Sequence, residues 1–306
     1  MENQITHRFP LGILGGVATS VVFGLGGFIL VYDDSGSMGS VLFLLVPFVT
    51  GFTTALIARK WDLVLASLAI GLILCSAVLL ATGMEGWVCV LMSAPLIAVG
   101  LAIGALIGVL VRRHVIERST KPRVLGLFFL LIVPFFLVGA NNAEEQTRRT
   151  ARAETVTSTL VTDAPPAKVW SHLKSWDKIE GSKGLLMRIG LPVPVSCVLE
   201  NEGVGAKRTC YFETGYIEER VTEWNPPKSM KLQITASDVP GRPWLTFQDA
   251  SYDLEQRGGQ TILTRKTTIV SRLSPAWYWR RLEHIGVETE HEYLFQELRS
   301  RIGRTK

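Results

Sequence analysis

Two histidines of the C-terminal segment, His284 and His291, lie seven residues apart in a stretch whose pattern predicts a helix. That spacing puts both side chains on one helix face, together with Val287, and Glu288 lies beside both. Such a group suits an acid–base pair or the orientation of a ligand head group. The alternative is two structural histidines with satisfied hydrogen bonds, which we favour because two histidines alone rarely make a site.

Cys197 and Cys210 are the second candidate pair. They lie at equal steps on either side of the turn Gly203–Val204, so a symmetric hairpin places them opposite each other on neighbouring strands. In an oxidising compartment this arrangement allows a disulfide, although the geometry for a cross-strand bond is demanding. The alternative is two buried thiols among apolar neighbours such as Phe212.

The motif content argues against several classes of function. No phosphate-binding glycine loop, nucleophile elbow or zinc-protease motif occurs in a suitable context. The histidines lack a third metal ligand at suitable spacing. The net charge of +5 comes largely from short loops between apolar segments, where basic residues set membrane topology. We therefore expect no cofactor, no metal and no nucleic-acid partner.

The elements that position these residues follow from residues 154–306, where apolar and polar residues alternate in short runs between turn signals. The predicted strands are Glu154–Thr162, Val193–Leu199, Ala206–Phe212, Tyr216–Trp224, Ser229–Thr235, Leu245–Leu254 and Thr261–Val270. The predicted helices are Ala167–Lys174, a second short one near Trp176–Glu180, and a long one from Ser274-Pro275 to about Ile302. Consecutive strands with segregated helices predict an α+β domain, with a bent antiparallel sheet around the last helix.

Residues 1–140 have a different composition, with few charges and long apolar runs. A membrane helix needs about 20 apolar residues. Five stretches approach this: Leu11–Tyr32, Gly39–Ala58, Leu63–Thr82, Trp87–Val111 and Val124–Ala140. We predict an all-α transmembrane bundle of about five spans over residues 1–140, with residues 141–153 as a juxtamembrane helix or linker. No ionisable residue lies in the middle of a span, so the bundle is predicted to be an anchor rather than a transporter.

The basic loops of this half fall on one side, which the positive-inside rule makes cytoplasmic. The N-terminus is then cytoplasmic, and five spans place the C-terminal domain outside a bacterial inner or plasma membrane. Arg148, Arg149 and Arg152, just after the last span, argue against this orientation.

Small residues recur at every fourth position in two spans: Gly12, Gly16, Ser20 and Gly24, and then Gly100, Gly104 and Gly108. Such ridges let helices approach closely. They serve packing within the bundle or, alternatively, contact with a second copy in a homodimer.

The soluble half also resembles a known superfamily. Its ordered motifs are Asp163-Ala-Pro-Pro-Ala-Lys-Val-Trp170, the turn Gly203–Ala206, Glu219-Arg-Val-Thr-Glu-Trp-Asn-Pro-Pro227 and the terminal helix. They resemble the START-like helix-grip superfamily, also called SRPBCC, in its polyketide cyclase/dehydrase and lipid-transport branch. The resemblance covers about half of the chain. It implies a cavity between sheet and helix that takes a lipid or another hydrophobic molecule.

That implied cavity gives a set of candidate ligand-binding residues, which are predicted to face inward from the strands and the long helix. They are Cys197, Cys210, Phe212, Glu219, Met230, Leu232, Arg265, His284, Val287 and His291. The first hypothesis is membrane-anchored binding, transfer or sensing of a hydrophobic ligand, without catalysis. A cyclase or dehydratase acting on a hydrophobic substrate is the first alternative. A protein-interaction module with a vestigial cavity is the second, and a cavity filled by large side chains would favour it.

Overall fold

The computed structural model describes residues 3–31, 39–58, 60–82, 84–118, 122–147, 151–239 and 245–304. These residues belong to two compact units. The first unit comprises Met1–Thr150 with Leu273–Pro275, and the second comprises Ala151–Arg272 with Ala276–Lys306. Arg148 and Arg149, which bear on the predicted orientation, lie outside the described residues.

The first unit is helical throughout its described part. Its helices are α1 (Asn3–Val31), α2 (Val46–Ile57), α3 (Trp61–Ala81), α4 (Trp87–Val111) and α5 (Pro122–Thr147). A π-helical turn, Val41–Leu45, leads into α2, and another, Arg112–Ile116, continues α4. The first seven residues of the predicted linker, 141–147, therefore extend α5.

Fewer helices qualify as membrane spans than the sequence predicts. Among the described residues three segments are long and apolar enough: Gly12–Ile29, Trp61–Ala81 and Trp87–Ile116. The second predicted span is a shorter apolar helix, Val41–Ile57, because Ala58 adopts an extended conformation that ends it. Its length is about 26 Å, below the roughly 30 Å of a hydrocarbon core. The fifth predicted span lies in α5, whose side chains before Leu131 are outside the described set.

The two small-residue ridges pack against neighbouring helices of the same unit. A Cβ added at Gly104 would lie 1.9 Å from the Phe48 carbonyl oxygen, so α4 touches the backbone of α2 there. A Cβ added at Gly16 would lie 2.3 Å from Ser67 Oγ, so α1 also contacts α3 closely, here at a side chain. The small residues thus permit contacts that larger side chains would block.

The shorter apolar helix Val41–Ile57, which contains α2, is bound at both ends by charged side chains. The carboxylate of Glu144 accepts hydrogen bonds from the backbone N–H groups of Ser40 (2.8 Å) and Val41 (3.0 Å). At the other end Arg112 Nη1 donates to the carbonyl oxygens of Ala55 (2.7 Å) and Ala58. Both charges have the sign that a helix dipole favours. Arg112 follows the fourth predicted span, where the sequence predicts a short basic loop, and it is instead buried in a helical turn.

The second unit contains one seven-stranded sheet. Its strands are β1 (Arg152–Thr162), β2 (Pro194–Leu199), β3 (Lys207–Phe212), β4 (Gly215–Asn225), β5 (Ser229–Ser237), β6 (Leu245–Arg257) and β7 (Gln260–Ser271). The order is β1-β7-β6-β5-β4-β3-β2, and all neighbouring pairs are antiparallel. Register shifts between β4 and β5, and between β6 and β7, mark bulges that bend the strands. All seven predicted strands are confirmed.

Three helices complete the second unit: α6 (Pro166–Leu173), α7 (Leu185–Arg188) and α8 (Ala276–Arg304). Leu294 and Leu298 of α8 belong to one buried cluster with Leu160, Met230 and Leu263 of the strands, so the sheet packs onto this helix. A bent antiparallel sheet around a long C-terminal helix is the START-like helix-grip fold that the motifs predict.

One predicted helix is wrong. The segment near Trp176–Glu180 is not helical; instead the backbone of Trp176 exchanges hydrogen bonds with Cys197 of β2, at 2.6 and 2.8 Å. The indole of Trp176 is 1% exposed and donates to the carbonyl of Leu173. Burial of this large ring against the sheet edge outweighs local helix preference. The short helix lies further on, as α7.

Candidate functional site

The inner face of the sheet carries two buried arginines on either side of one tyrosine. Arg208 is 1% exposed and Arg265 is 7% exposed. Their guanidinium carbons lie 5.8 and 5.4 Å from the ring centroid of Tyr252, which is itself buried. These distances are within the range of cation–π attraction. We call Arg208, Arg265, Tyr252, Glu219 and Glu290 the arginine cluster.

The register of the sheet brings the cluster together. Arg208 of β3 is directly opposite Glu219 of β4, and Tyr252 of β6 is directly opposite Arg265 of β7. Residues directly opposite each other in antiparallel strands point to the same face. Glu290 comes from α8, on the other side of the interior. The cluster therefore spans four strands and the helix that they enclose.

Each arginine has one carboxylate partner. Arg208 Nη1 donates to Glu219 Oε2 at 2.8 Å, and Arg265 Nη2 lies 3.0 and 2.9 Å from the two carboxyl oxygens of Glu290. Burial alone would lower the pKa of Arg265, but the attraction of Glu290 outweighs it and raises that pKa. Burial also raises the pKa of Glu290, and Arg265 offsets this only in part. The carboxyl group of Glu290 thus accepts a proton more readily than that of an ordinary glutamate.

The arginines have more donors than these carboxylates use. By their geometry, Nε and Nη2 of Arg208, and Nε and Nη1 of Arg265, are buried without a hydrogen-bond partner in the described part of the chain. The Tyr252 hydroxyl is nevertheless near enough to Arg208 to contribute, after Glu219, to raising its pKa. A guanidinium presents five N–H donors in a fixed plane. Buried donors are normally satisfied by protein, water or ligand. The interior therefore contains buried arginine N–H groups that are able to donate hydrogen bonds to the acceptor atoms of a ligand or of water.

The cluster adjoins an apolar wall. Met230 and Leu232 of β5 are at most 1% exposed and lie in the main buried cluster of this unit, with Phe212 packed against its margin. Cys197 and Cys210 face each other across β2 and β3 and form a disulfide. Cys210 Sγ lies 3.8 Å from Glu219 Oε2. Six predicted site residues thus line one continuous interior with Arg265.

The two histidines do not share a site. His291 is fully buried, with Nε2 2.8 Å from Thr267 Oγ1 and Nδ1 2.8 Å from Ser158 Oγ. Burial and the nearby Arg265 lower the pKa of His291 to about 2, so the ring is neutral. His284 is about one-third exposed and lies 3.1 Å from Glu154 at the outer end of α8.

The two other residues predicted on this face of α8 differ in burial. Val287, one turn before His291, is buried against Val156 and Ile269, on the same two strands that His291 contacts. Glu288, predicted to lie beside both histidines, instead lines an open groove of about 320 Å³ with Ser182 and Thr289. The two histidines bind different residues, so they do not form an acid–base pair.

Arg208, Tyr252 and Glu290 were not predicted as site residues. Arg208 lies two positions before Cys210 on a predicted strand, so strict alternation would have placed both on one face. Tyr252 lies two positions from both Ala250 and Leu254 on a predicted strand, so alternation would have placed all three on one face. Glu290 has no such signal, because a glutamate on a charged helix is usually exposed.

No family model and no curated protein matches the sequence. Several solved structures are similar. A START superfamily protein from Mycobacterium smegmatis is 12% identical with a TM-score of 0.37, covering 50% of this chain and 99% of that chain. The Zhui aromatase/cyclase from Streptomyces sp. R1128 is 15% identical with a TM-score of 0.36, covering 50% and 95%. The Aha1 dimer from Colwellia psychrerythraea is 17% identical with a TM-score of 0.32, covering 47% and 96%.

Proposed function

We propose that the second unit binds a hydrophobic or amphipathic small molecule between its sheet and α8, and that the apolar N-terminal helices hold it at a membrane. One observation carries the proposal: buried guanidinium donors that have no partner among the described residues adjoin a wall of Met230, Leu232 and other apolar side chains. A site of this kind encloses apolar surface and fixes the ligand with a few polar groups.

The binding is proposed to work without covalent chemistry. Both ring nitrogens of His291 are engaged by hydroxyl groups, so neither is available to move a substrate proton. Glu219 and Glu290 are held in ion pairs. The arginine donors orient a ligand but do not transfer protons at ordinary pH.

A second function, a protein-docking module, is favoured by how densely the interior is filled. Trp176, Met230, Leu263 and Leu298 are each at most 1% exposed. Large side chains that meet across a helix-grip interior take up space that a ligand would occupy. This function and ligand binding make opposite predictions for the content of the purified protein.

Native mass spectrometry of the full-length protein, released from a lipid-rich host membrane and followed by solvent extraction, tests the proposal. We expect one hydrophobic molecule per chain, which extraction removes and re-addition restores. A bare protein mass that no lipid panel shifts would reject ligand binding and favour the docking module. Denatured protein from the same preparation is the control for lipid carried non-specifically.

The proposal includes an extracytoplasmic position for the second unit. The disulfide between Cys197 and Cys210 supports it, because such bonds persist in oxidising compartments. An alkaline phosphatase fused after Lys306 is expected to be active, and a fluorescent protein that matures only in the cytoplasm is expected to stay dark there. An inactive phosphatase with a bright fluorescent fusion would reverse the orientation.

A further inference from the structure

We infer that Arg208 and Arg265 hold the anionic head group of a single-chain amphipathic ligand, either a carboxylate or a phosphate monoester. The inference rests on the proposed function, and it names the chemical class of the ligand. It follows from the number, charge and burial of the donors in the arginine cluster.

The donors match an anion better than a neutral head group. Within the part of the chain that the structure describes, four guanidinium nitrogens are buried without partners, two on each arginine. A hydroxyl has two acceptor lone pairs, whereas a carboxylate has about four acceptor sites and can bind a guanidinium fork with both oxygens. Hydrogen bonds between ionised partners are shorter and stronger than those between neutral groups. An anionic oxygen group thus satisfies donors that a neutral alcohol leaves unpaired.

The position of the two arginines also suits one shared ligand group. Both guanidinium carbons lie within 6 Å of the same ring, that of Tyr252. Met230 is directly opposite Tyr252 on the neighbouring strand, and Leu232 follows two residues later on the same face. A head group at Tyr252 therefore has an apolar wall beside it for a chain.

Glu290 is the group that an anion must compete with. Its carboxylate occupies part of the Arg265 fork at 2.9 and 3.0 Å. Burial already raises the pKa of Glu290, so its negative charge is the one most easily lost from the cluster. Removing that charge while keeping an acceptor for Arg265 should strengthen anion binding. This is a gain of affinity, which damage to the fold would not produce.

The test compares oleate with oleyl alcohol, two probes that share a chain and differ in head-group charge. Both are titrated into full-length protein stripped of bound lipid in nanodiscs, with inorganic phosphate as a third probe without a chain. We expect oleate to bind at one per chain and about tenfold or more tighter than oleyl alcohol. The variant Glu290→Gln should bind oleate about tenfold tighter still, with no change for the alcohol.

The matched control is Glu292→Gln. Glu292 is on the same helix but half-exposed, in an ion pair with Arg299, and its replacement should alter neither affinity. The double variant Arg265→Met with Glu290→Met removes a pair without leaving a lone charge. It should reduce the preference for oleate over oleyl alcohol, because only Arg208 then remains to bind the anion.

Three results would overturn the head-group inference. Equal binding of oleate and oleyl alcohol, unaltered in Glu290→Gln, would remove it and leave the proposed function standing. Binding of phosphate without oleate would show a free-anion site and no place for a chain. Binding of neither long-chain probe would reject both the inference and the proposed function, and would assign the donors to buried water.

Discussion

Both units of this protein bury arginine, and they satisfy it in different ways. Arg112 of the first unit is 5% exposed and donates to two main-chain carbonyls at the end of α2. Arg208 and Arg265 of the second unit are equally buried, but they pair with the carboxylates of Glu219 and Glu290. The first arrangement completes a helix, whereas the second depends on side chains from another strand and from α8.

The difference follows from the secondary structure around each arginine. A helix leaves its last carbonyls without intrahelical partners, so one cation at its C-terminus meets several acceptors at once. A continuous sheet uses its carbonyls in the ladder and offers none. An arginine on the inner face of a sheet depends on side chains from other strands or from α8, and a single carboxylate accepts only part of its fork. A buried arginine on a sheet is therefore the better indicator of a ligand.

The largest expected effect is the loss of one partner in the sheet. Replacing Arg208 with Met leaves the carboxylate of Glu219 buried and alone, which should reduce the free energy of unfolding by about 3–5 kcal/mol. Replacing both Arg208 and Glu219 with Met should restore most of that loss, since no charge is then left unpaired. Urea unfolding of full-length protein in detergent, followed by near-UV circular dichroism, measures both.

The exposed pair Lys183–Glu213 is the control for this comparison. Lys183→Met should cost at most about 1 kcal/mol, because solvent screens the pair. If the double variant is as unstable as Arg208→Met alone, then packing, rather than the unpaired charge, explains the loss.

Cysteine chemistry separates the two units as well. Cys75 and Cys89 of the first unit are thiols, whereas Cys197 and Cys210 of the second are joined by a disulfide. Alkylation of denatured protein should therefore label two thiols before reduction and four afterwards. Replacing Cys197 and Cys210 together with Ala should reduce the free energy of unfolding by about 3 kcal/mol, because the bond closes a short loop in the unfolded chain. Four labelled thiols without reductant would contradict the disulfide.

Loss of the helix-end contact in the first unit should cost less than loss of a partner in the sheet. Arg112→Met removes donors from the carbonyls of Ala55 and Ala58, which should cost about 2 kcal/mol. Thermal denaturation in detergent measures it. Arg113→Met is the control, because Arg113 is the exposed neighbour in the same turn. A cost equal to that of Arg208→Met would mean that the two sites are energetically alike.

The sequence was sufficient for the strands of the second unit because each combines alternation with a turn signal. Gly258 and Gly259, both with positive φ, form the two-residue hairpin between β6 and β7, and that dipeptide marks the turn without any tertiary information. The segment after α6 was mistaken for a helix because Trp176 is fixed by β2, which is distant in sequence. The arginine cluster required the same long-range information, since its members come from four strands and a helix.

The histidines show the limit of helix periodicity. A spacing of seven residues predicts one face, and both histidines do face β1. His284, about one-third exposed, meets Glu154, while the fully buried His291 meets two hydroxyl groups. Two side chains on the same helix face do not necessarily share an environment, because each turn of the helix packs against different residues.

The smallest predicted effect is a dependence of stability on pH. The pKa of His291 is lowered from 6.5 to about 2 in the folded protein, by burial and by Arg265. Below pH 6.5 the unfolded chain binds a proton there that the folded protein does not, so stability falls as the pH is lowered through that range. Between pH 7 and pH 5.5 this one residue should remove about 1 kcal/mol from the free energy of unfolding.

The measurement is the difference in pH dependence between wild type and His291→Gln, from urea unfolding at both pH values. Gln retains hydrogen bonding toward Thr267 and Ser158 but does not titrate, so the variant should lose less stability than wild type on acidification. His284→Gln is the control, because His284 is partly exposed beside Glu154. Equal pH dependence in wild type and His291→Gln would mean that the buried ring accepts a proton in the folded state. The arginine cluster would then be more open to water than its burial indicates.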